Sequence, residues 1–437
     1  MWLLAGQKAP DHSTIARFRT GFLLEACEDL FYQMVRRLKD AAELSVETVF
    51  IDGTKLEACA NKYTFVWKKS VGKWEEKMFQ KIQEAVMLLN HEYMQSFSVK
   101  IDSRIQDLQT ITRYLENKCQ QNGTVFVYGR GKRKSKNQKY FELFRKFQER
   151  QVTYDWHTAS FQGRNNYCKT DPDATFMHMK DDHMRNAQLK PGYNIQIGVD
   201  SEYIVATDVF SDRNDVWTLI PFLKTMDEKL RFRYPSVTAD SGYESEEGYT
   251  YLRETRQTPY IKPQTYEKWK RRSFKQDISK RENMAYDAET DVYTCYAQKK
   301  LSPVFVKKQK SKSGYESEVT VYECEDCKDC PHKEKCTRAK GNKRLYVSKS
   351  FLEKRQESYE NILTETGIQY RMNRSIQVEG AFGVLKNDYE FQKFLLRGKT
   401  KVKLEILLLC MGYNLNKLHA KIQNERIGFH LFKVKSA

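Results

Sequence analysis

The first 40 residues of the chain show the hydrophobic spacing of an α-helix. Pro10 and Asp11 mark a helix start, and apolar residues recur every three or four positions after it. One face of this helix would carry Ile15, Phe18, Phe22, Ala26, Leu30 and Met34. Because such a stripe needs a partner to bury it, we interpret residues 1–45 as the tail of a larger helical unit.

Helical spacing returns between Trp74 and Cys119. The apolar positions form two runs: Trp74, Met78, Ile82 and Val86, then Ile101, Ile105, Leu108, Ile111 and Leu115. The simplest structure for two such helices is an antiparallel hairpin. We predict it as a helical insertion that occupies residues 70–153.

Shorter apolar runs elsewhere have the β-branched composition and the alternation of β-strands. They lie at 48–51, at 193–199 and 203–210 as a hairpin, at 237–239 and at 260–261. Helices are predicted at 215–230 and 244–253, between the later strands. This order predicts an α/β fold in which helices cover both faces of a mixed sheet.

The predicted core is interrupted by a polar, basic insertion at 264–350. We assign the core to 46–69 and 154–263, its last helices to 351–421, and a tail to 422–437. The insertion shows strand-like pieces only near Tyr293 and Val319, and it includes the basic residues Lys270, Arg271 and Arg272. We therefore treat it as a separate small subdomain.

Four cysteines lie close together within this insertion. They are Cys324, Cys327, Cys330 and Cys336. Soft sulfur ligands at such spacing favour a structural, tetrahedral Zn²⁺ site, although an iron–sulfur cluster and four metal-free thiols remain alternatives. A closed zinc site would hold the insertion together and present Lys333, Lys335, Arg338 and Lys340 to DNA.

The charge of the chain indicates a polyanionic partner. Its 75 Lys and Arg against 57 Asp and Glu give a net charge of +18, which favours nucleic acid. A basic stretch with Arg130, Lys132, Arg133 and Lys134 either stays flexible or lies on phosphate. The absence of a long uncharged apolar run predicts no membrane segment, and the scattered cysteines indicate a reducing cytoplasm.

Three carboxylates are candidates for metal-dependent chemistry. Asp52 and Asp240 each follow a predicted strand and precede small residues, although a single aspartate there is usually a turn residue. Glu379 lies on a helix whose stripe of Val378, Phe382 and Leu385 would pack on the sheet, with Lys386 on the adjoining face. An ordinary salt-bridged surface helix would show the same spacing.

Four long segments of the chain resemble the transposases of bacterial insertion sequences of the eleven-eighty-two type. These segments are FIDGTKLEACANKYTFVWKK at 50–69, RNNYCKTDPDATFMHMKDDHMRNAQLKPGYNIQIG at 164–198, TADSGYESEEGY at 238–249, and VEGAFGVLKNDYEFQKFLLRGKTKVKLEILLLCMGYNLNKL at 378–418. The resemblance extends from Pro10 to His419.

The resemblance implies a ribonuclease-H-like core with a triad of two aspartates and a glutamate that binds Mg²⁺ or Mn²⁺. The triad maps onto Asp52, Asp240 and Glu379. Lys386 fits the family pattern of DNA-end contacts, whereas Tyr370 and Arg374 lie a residue or two from its strict spacing. The implied partner is double-stranded DNA, bound by a homodimer that is cytoplasmic and nucleoid-associated.

The function implied is cleavage of element ends and joining of the freed 3′-OH to target DNA. A ribonuclease-H-like nuclease that never joins DNA and a silent DNA-binding remnant are the alternatives. The second is favoured by the segment at 10–19, which in the family follows a further helical domain, so that this chain looks N-terminally shortened.

Other polar residues near the predicted core have simpler interpretations. Asp171 and Asp173 flank a proline and favour a tight turn over metal binding. His178 and His183 lie five positions apart, a spacing that does not suit a shared helical face, so we expect surface or phosphate contacts there.

Overall fold

The computed structural model describes residues 10–179 and 188–432. The chain forms two compact units: a larger one within 1–56 and 193–437, and a smaller one at 57–192. The boundaries between the units fall within two long strands, at Leu56 and at Tyr193. The domain bounds predicted from sequence remain predictions.

The strands are β1 Thr48–Glu57, β2 Phe65–Trp67, β3 Asn166–Cys168, β4 Thr175–His178, β5 Leu189–Asp200, β6 Tyr203–Phe210, β7 Ser236–Ala239, β8 Thr258–Ile261, β9 Ala285–Asp287, β10 Val292–Thr294, β11 Lys300–Lys310, β12 Glu316–Cys324 and β13 Arg344–Val347. The α-helices are α1 His12–Gly21, α2 Leu23–Asp40, α3 Lys68–Tyr93, α4 Arg104–Gln121, α5 Lys136–Phe161, α6 Leu219–Leu230, α7 Glu246–Glu254, α8 Tyr266–Trp269, α9 Arg272–Lys275, α10 Lys333–Cys336, α11 Lys349–Leu363, α12 Glu365–Arg374, α13 Gly380–Gly383 and α14 Lys399–Gln423.

A mixed sheet forms the core of the larger unit. Its strands lie in the order β6-β5-β1-β7-β8, with β5 antiparallel to β6 and with β1, β7 and β8 parallel. Every residue of β6 is buried, so both faces of that strand are covered. Helices α2 and α14 lie against β6, and α11 and α12 lie against β8 and β7. The predicted mixed α/β class is confirmed, and the strand order is compatible with a ribonuclease-H-like fold.

The predicted hairpin is present as β5 and β6, and it closes through the two-residue turn Ser201–Glu202 because Asp200 pairs with Tyr203. Ser201 and Glu202 both have positive φ, at 53° and 72°, which matches the right-handed twist of the two strands. Along β6, the side chain of Asn414 on α14 accepts from the amide of Ile204 and donates to its carbonyl, each at 2.8 Å. A helix thereby satisfies backbone groups of this strand.

The N-terminal helix prediction is correct in its start and wrong in its buried face. Asp11 caps α1 by accepting from the amide of Thr14 at 2.6 Å, but the chain ends that helix at Gly21 and starts α2 at Leu23. The predicted stripe is largely exposed, at Ile15, Phe18, Phe22 and Leu30, whereas α2 buries Cys27, Phe31, Tyr32, Val35 and Leu38. The break rotates the side chains of α2 about its axis relative to those of α1. A single row of apolar residues continued from α1 into α2 therefore follows the exposed face of α2.

The smaller unit holds three long helices where a two-helix hairpin was predicted. Helix α5 packs against both α3 and α4. Its residues Phe144 and Phe147 join Met78, Ile82, Val86, Leu108, Ile111 and Leu115 in one core. Trp74 and Ile101, which were expected in the buried faces, are exposed.

The insertion at 264–350 is built on an antiparallel sheet in the order β13-β12-β11-β10-β9. The expected strand pieces near Tyr293 and Val319 are present as β10 and β12. The long partner strand β11 was not predicted, because it is exposed along nearly its whole length and lacks the alternation of a half-buried strand.

Within the described residues, no helix combines the length and the apolar character needed to cross a membrane.

Candidate active site

Asp52 and Asp240 lie side by side on neighbouring parallel strands. The register pairs Ile51 of β1 with Ala239 of β7, and each aspartate is the next residue. Neighbouring strands are about 4.8 Å apart, and residues that continue a parallel register share a face. Asp52 was expected at a strand end, but β1 continues to Glu57, so only the ladder with β7 ends before it.

Asp52 is held by its own backbone and by a cation from the C-terminal helices. One carboxylate oxygen accepts from the amide of Gly53 at 2.8 Å, and the other forms an ion pair with Arg374 at 2.9 Å. Arg374 also donates from Nε to the carbonyl of Ile51 at 3.2 Å. This partly buried guanidinium at the end of α12 therefore neutralises one of the two adjacent aspartates.

Asp240 caps the short 3₁₀ turn Ser241–Tyr243. Its Oδ1 accepts from the amide of Gly242 at 2.7 Å. This bond orients the carboxylate at the end of β7 and begins the turn that brings Tyr243 into the core.

A third aspartate, Asp215, belongs to the same group. Its Oδ1 accepts from Asn194 at 2.8 Å and from Gln196 at 3.1 Å. A Cβ built on Gly53 would lie 3.0 Å from Oδ1 of Asp215. A Cβ built on Gly242 would lie 3.4 Å from Oδ2 of the same aspartate. The Asp215 carboxylate thus lies beside the residue that follows Asp52 and near the turn that Asp240 caps.

From the sequence, Asp215 was predicted only as a helix start. A usable signal was the pair Asn194 and Gln196, two buried polar residues at spacing two within the otherwise apolar run 193–199 of β5. Buried amides need partners, so such a pair predicts a polar group facing that side of the sheet.

Tyr243 connects the three aspartates. Its hydroxyl donates to the side-chain oxygen of Gln196. Burial raises the pKa of Tyr243 well above its ordinary value, and the charges of Asp215, Asp52 and Asp240 raise it further. All three carboxylates therefore act on one buried phenol.

Glu379 lies on a π-helical segment, Ser375–Glu379. Val378, Phe382 and Leu385 are buried as predicted, whereas Glu379 is exposed and accepts from the hydroxyl of Ser375 at 2.9 Å. π-turns are rare and often occur at functional sites. A second one, Val384–Asp388, carries Lys386.

The π segment is anchored two residues before Glu379. Gln377 is buried and accepts from the amide of Glu202 in the β5–β6 turn at 2.9 Å. It donates to the carbonyl of His430 at 3.1 Å. The backbone that presents Glu379 is thereby fixed to the hairpin of the core sheet.

Tyr370 packs against the sheet. It is 8% exposed, and its ring makes edge contacts with Phe50 and Tyr260 at centroid distances of 6.1 and 5.1 Å. Burial, followed by the charge of Glu47, raises its pKa to about 12. In this conformation the ring of Tyr370 is a packing element, and its placement gives no support to the predicted DNA contact.

The carboxylates of Asp52, Asp240 and Glu379 suit a hard divalent cation, because carboxylate oxygens are the ligands that Mg²⁺ and Mn²⁺ prefer. In the described conformation, however, Arg374 occupies one oxygen of Asp52. Across residues 10–179 and 188–432, no three His, Cys, Asp or Glu side chains are arranged to hold a metal ion. The convergence of Asp52, Asp240 and Glu379 on a metal ion therefore stays a prediction.

The predicted phosphate contacts lie mostly on the surface. Arg130, Lys132, Arg133, Lys270, Arg271 and Arg272 are exposed, as are Lys335, Arg338 and Lys340. Lys134 forms an ion pair with Glu142, and Lys333 donates to the carbonyl of Lys340 at 3.0 Å. Lys270 pairs with Glu267 at 3.3 Å and lies over the ring of Tyr266.

The turn predicted at Asp171 and Asp173 is present. The amide of Ala174 donates to the carbonyl of Asp171 at 3.0 Å, and Arg164 donates to the carbonyl of Asp173 at 2.8 Å. His178 is exposed at the end of β4, and His183 lies outside the described residues.

The clustered cysteines line one small cavity with a fifth, Cys295, which the sequence analysis did not include. The five are Cys295, Cys324, Cys327, Cys330 and Cys336. All are free thiols. Burial raises the pKa of Cys324 to about 12, and Cys327 and Cys295 contribute to the increase.

Comparison with known proteins gives one match. Residues 294–419 match the family model of the transposase DDE domain, which covers less than a third of the chain. The matched segment includes Glu379, Lys386 and the cysteine cavity, whereas Asp52 and Asp240 lie before it. No curated protein and no solved structure matches the chain. The match supports a DDE transposase and leaves the type of insertion sequence open.

Proposed function

We propose that this protein is a DNA transposase whose active site is formed by Asp52, Asp240 and Glu379. The observation that carries the proposal is the placement of Asp52 and Asp240 after the paired residues Ile51 and Ala239 at the centre of the mixed sheet. The transposase match adds the segment that contains Glu379.

In this proposal, Asp52 and Asp240 hold the divalent cations, and Glu379 completes the shell of one of them. When bound, Mg²⁺ or Mn²⁺ would supply the charge that stabilises the attacking and leaving oxygens of a phosphodiester. Arg374 then has to leave Asp52 or share it, and its guanidinium becomes available to a DNA phosphate beside the carboxylates. Lys386 would bind a second phosphate at the other π-turn.

The proposed reaction has two steps at the same site. Hydrolysis at the element end frees a 3′-OH, and that hydroxyl then attacks a phosphodiester of the target DNA. The exposed basic residues at 130–133 and 270–272 would bind DNA phosphates without reading the bases. We propose double-stranded DNA as the partner and a homodimer as the assembly that holds two ends.

Glu379→Gln tests the third member of the proposed triad. We expect Mg²⁺-dependent cleavage of a duplex carrying the sequences that border the gene to fall at least about a hundredfold, because a carboxamide cannot replace a charged ligand. Binding of the same duplex, measured by gel shift, should be unchanged. Glu360→Gln, on the exposed face of α11, is the matched control and should cleave normally.

Strand transfer separates the proposal from its alternatives. Wild-type protein given precleaved ends and a plasmid target should join them, whereas a nuclease would hydrolyse DNA without joining it. A silent DNA-binding protein would bind the duplex and do neither. If the Glu379→Gln protein cleaves the duplex as fast as the Glu360→Gln protein, Glu379 is not part of the active site.

Asp215→Asn tests the aspartate that the structure adds to the site. We expect cleavage to fall about ten- to a hundredfold, as is usual when a residue that supports metal ligands is changed. The Mg²⁺ concentration for half-maximal cleavage should rise while the melting temperature stays constant. Asp212→Asn is the control, since that carboxylate forms a partly exposed ion pair with Lys312 at 3.4 Å. Equal behaviour of the two variants would exclude a role for Asp215.

A further inference from the structure

We propose that Cys295 is a ligand of a structural Zn²⁺ ion, together with three of the four clustered cysteines Cys324, Cys327, Cys330 and Cys336. The ion would tie the turn between β10 and β11 to the loop that follows β12. The closely spaced cysteine motif does not contain Cys295, which lies far upstream of it in the sequence. This inference does not depend on the proposed DNA chemistry.

The strand register brings Cys295 to Cys324. β10 pairs with β11 at Thr294 and Lys300, and the turn between them is closed by the amide of Cys295, which donates to the carbonyl of Lys299 at 2.9 Å. The next residue of β11, Leu301, pairs with Cys324 at the end of β12. The two cysteines therefore lie at the same end of the sheet.

Lys343 links two of the clustered cysteines. Its backbone amide donates to the sulfur of Cys327 at 3.4 Å, and its buried ammonium donates to the carbonyl of Cys336 at 2.9 Å. An amide that donates to sulfur stabilises a thiolate, and a buried ammonium offsets the negative charge of a zinc ion bound by four thiolates. These two contacts would therefore offset part of the negative charge of the metal-bound cysteines.

The cavity has the size and lining of a single-ion site. Its volume is about 20 Å³, room for one water-sized sphere, and five sulfur-bearing residues surround it. No three of these thiols stand at metal-binding spacing within the described residues. The sulfur of Cys324 instead points to the carbonyl of Asp326 at 3.7 Å. Zinc binding would require four of these sulfurs to reach the Zn–S distance of about 2.3 Å.

Zinc content tests the role of Cys295. The purified full-length protein should contain about one zinc per chain by elemental analysis, and Cys295→Ser should reduce this to below about a fifth. Cys59→Ser in the smaller unit, the control for loss of an unrelated thiol, should keep the full content. Full zinc in Cys295→Ser overturns the assignment.

Alkylation of the wild-type protein gives the same answer without any variant, in case Cys295→Ser does not fold. In the zinc-loaded protein, iodoacetamide followed by peptide mass spectrometry should spare Cys295. After removal of zinc with a chelator, Cys295 should react. A wild-type protein that carries no zinc and takes up none, or one in which Cys295 reacts as fast with zinc bound as without it, contradicts the proposal.

Discussion

Asp240→Asn is expected to abolish cleavage of element-end DNA, with a loss of at least about a thousandfold, while the fold and DNA binding are retained. Asparagine keeps the shape of the side chain and an oxygen that can accept from the amide of Gly242, so the turn after β7 should still form. What the substitution removes is the charge that would hold a divalent cation next to Asp52.

The same variant should be at least as stable as the wild type. A Cβ on Gly242 would lie 3.0 Å from Oδ1 of Asp240 and 3.4 Å from Oδ2 of Asp215, so these two carboxylates lie close together. Removing one of the two like charges reduces their repulsion when no metal is bound. A purely structural role for Asp240 predicts the opposite result, a lower melting temperature together with lower activity.

The measurements for this variant are cleavage with Mg²⁺, gel shift and thermal unfolding without metal. Asp40→Asn, at the exposed end of α2, is the control for the loss of one negative charge. If Asp240→Asn nicks element-end DNA at the rate of the control, Asp240 is not part of the active site.

Gly367→Ala should lower the free energy of unfolding by about 2–4 kcal/mol. Gly367 lies in the first turn of α12, where a Cβ would meet the carbonyl oxygen of Asn361 at 2.0 Å and the Cα of Ile362 at 2.7 Å. Both are backbone atoms of α11, so neither can rotate away. The two helices would have to separate, and α12 carries Arg374 toward Asp52.

Gly412→Ala provides a control with the opposite sign. Gly412 lies within α14, and apart from its chain neighbours and the nearby backbone of its own helix no atom lies within 4 Å of the position its Cβ would take. Alanine there should stabilise the helix by up to about 1 kcal/mol. Urea unfolding followed by circular dichroism should therefore shift in opposite directions for the two variants. A Gly367→Ala midpoint at or above that of the wild type would contradict the expected clash.

The parts of the fold that sequence predicted well are those with a strong local signal. The hairpin at β5 and β6 combines β-branched strands with a tight turn, and β7 and β8 end directly before Asp240 and Lys262, as expected. The buried face of α2 was missed because the break between Gly21 and Leu23 has no proline to mark it.

The candidate site was predictable only where its residues carry a motif. Asp52, Asp240 and Glu379 were found through a family resemblance. Asp215 and Cys295 become candidate site residues only through contacts that the fold creates. Asp215 accepts from amide side chains on β5, and Cys295 is brought near Cys324 by the pairing of β11 with β12. A single sequence contains no spacing rule for such contacts.

The central ladder of the sheet has a consequence for synthesis of the protein. Thr48 of β1 and Ser236 of β7 are 188 positions apart. At a translation rate of about 5–20 residues per second, roughly 10–40 s separate the emergence of the two strands from the ribosome. The smaller unit is translated entirely within that interval and has its own hydrophobic core. We expect it to fold first on the nascent chain, so that the two aspartates become neighbours only after it has formed.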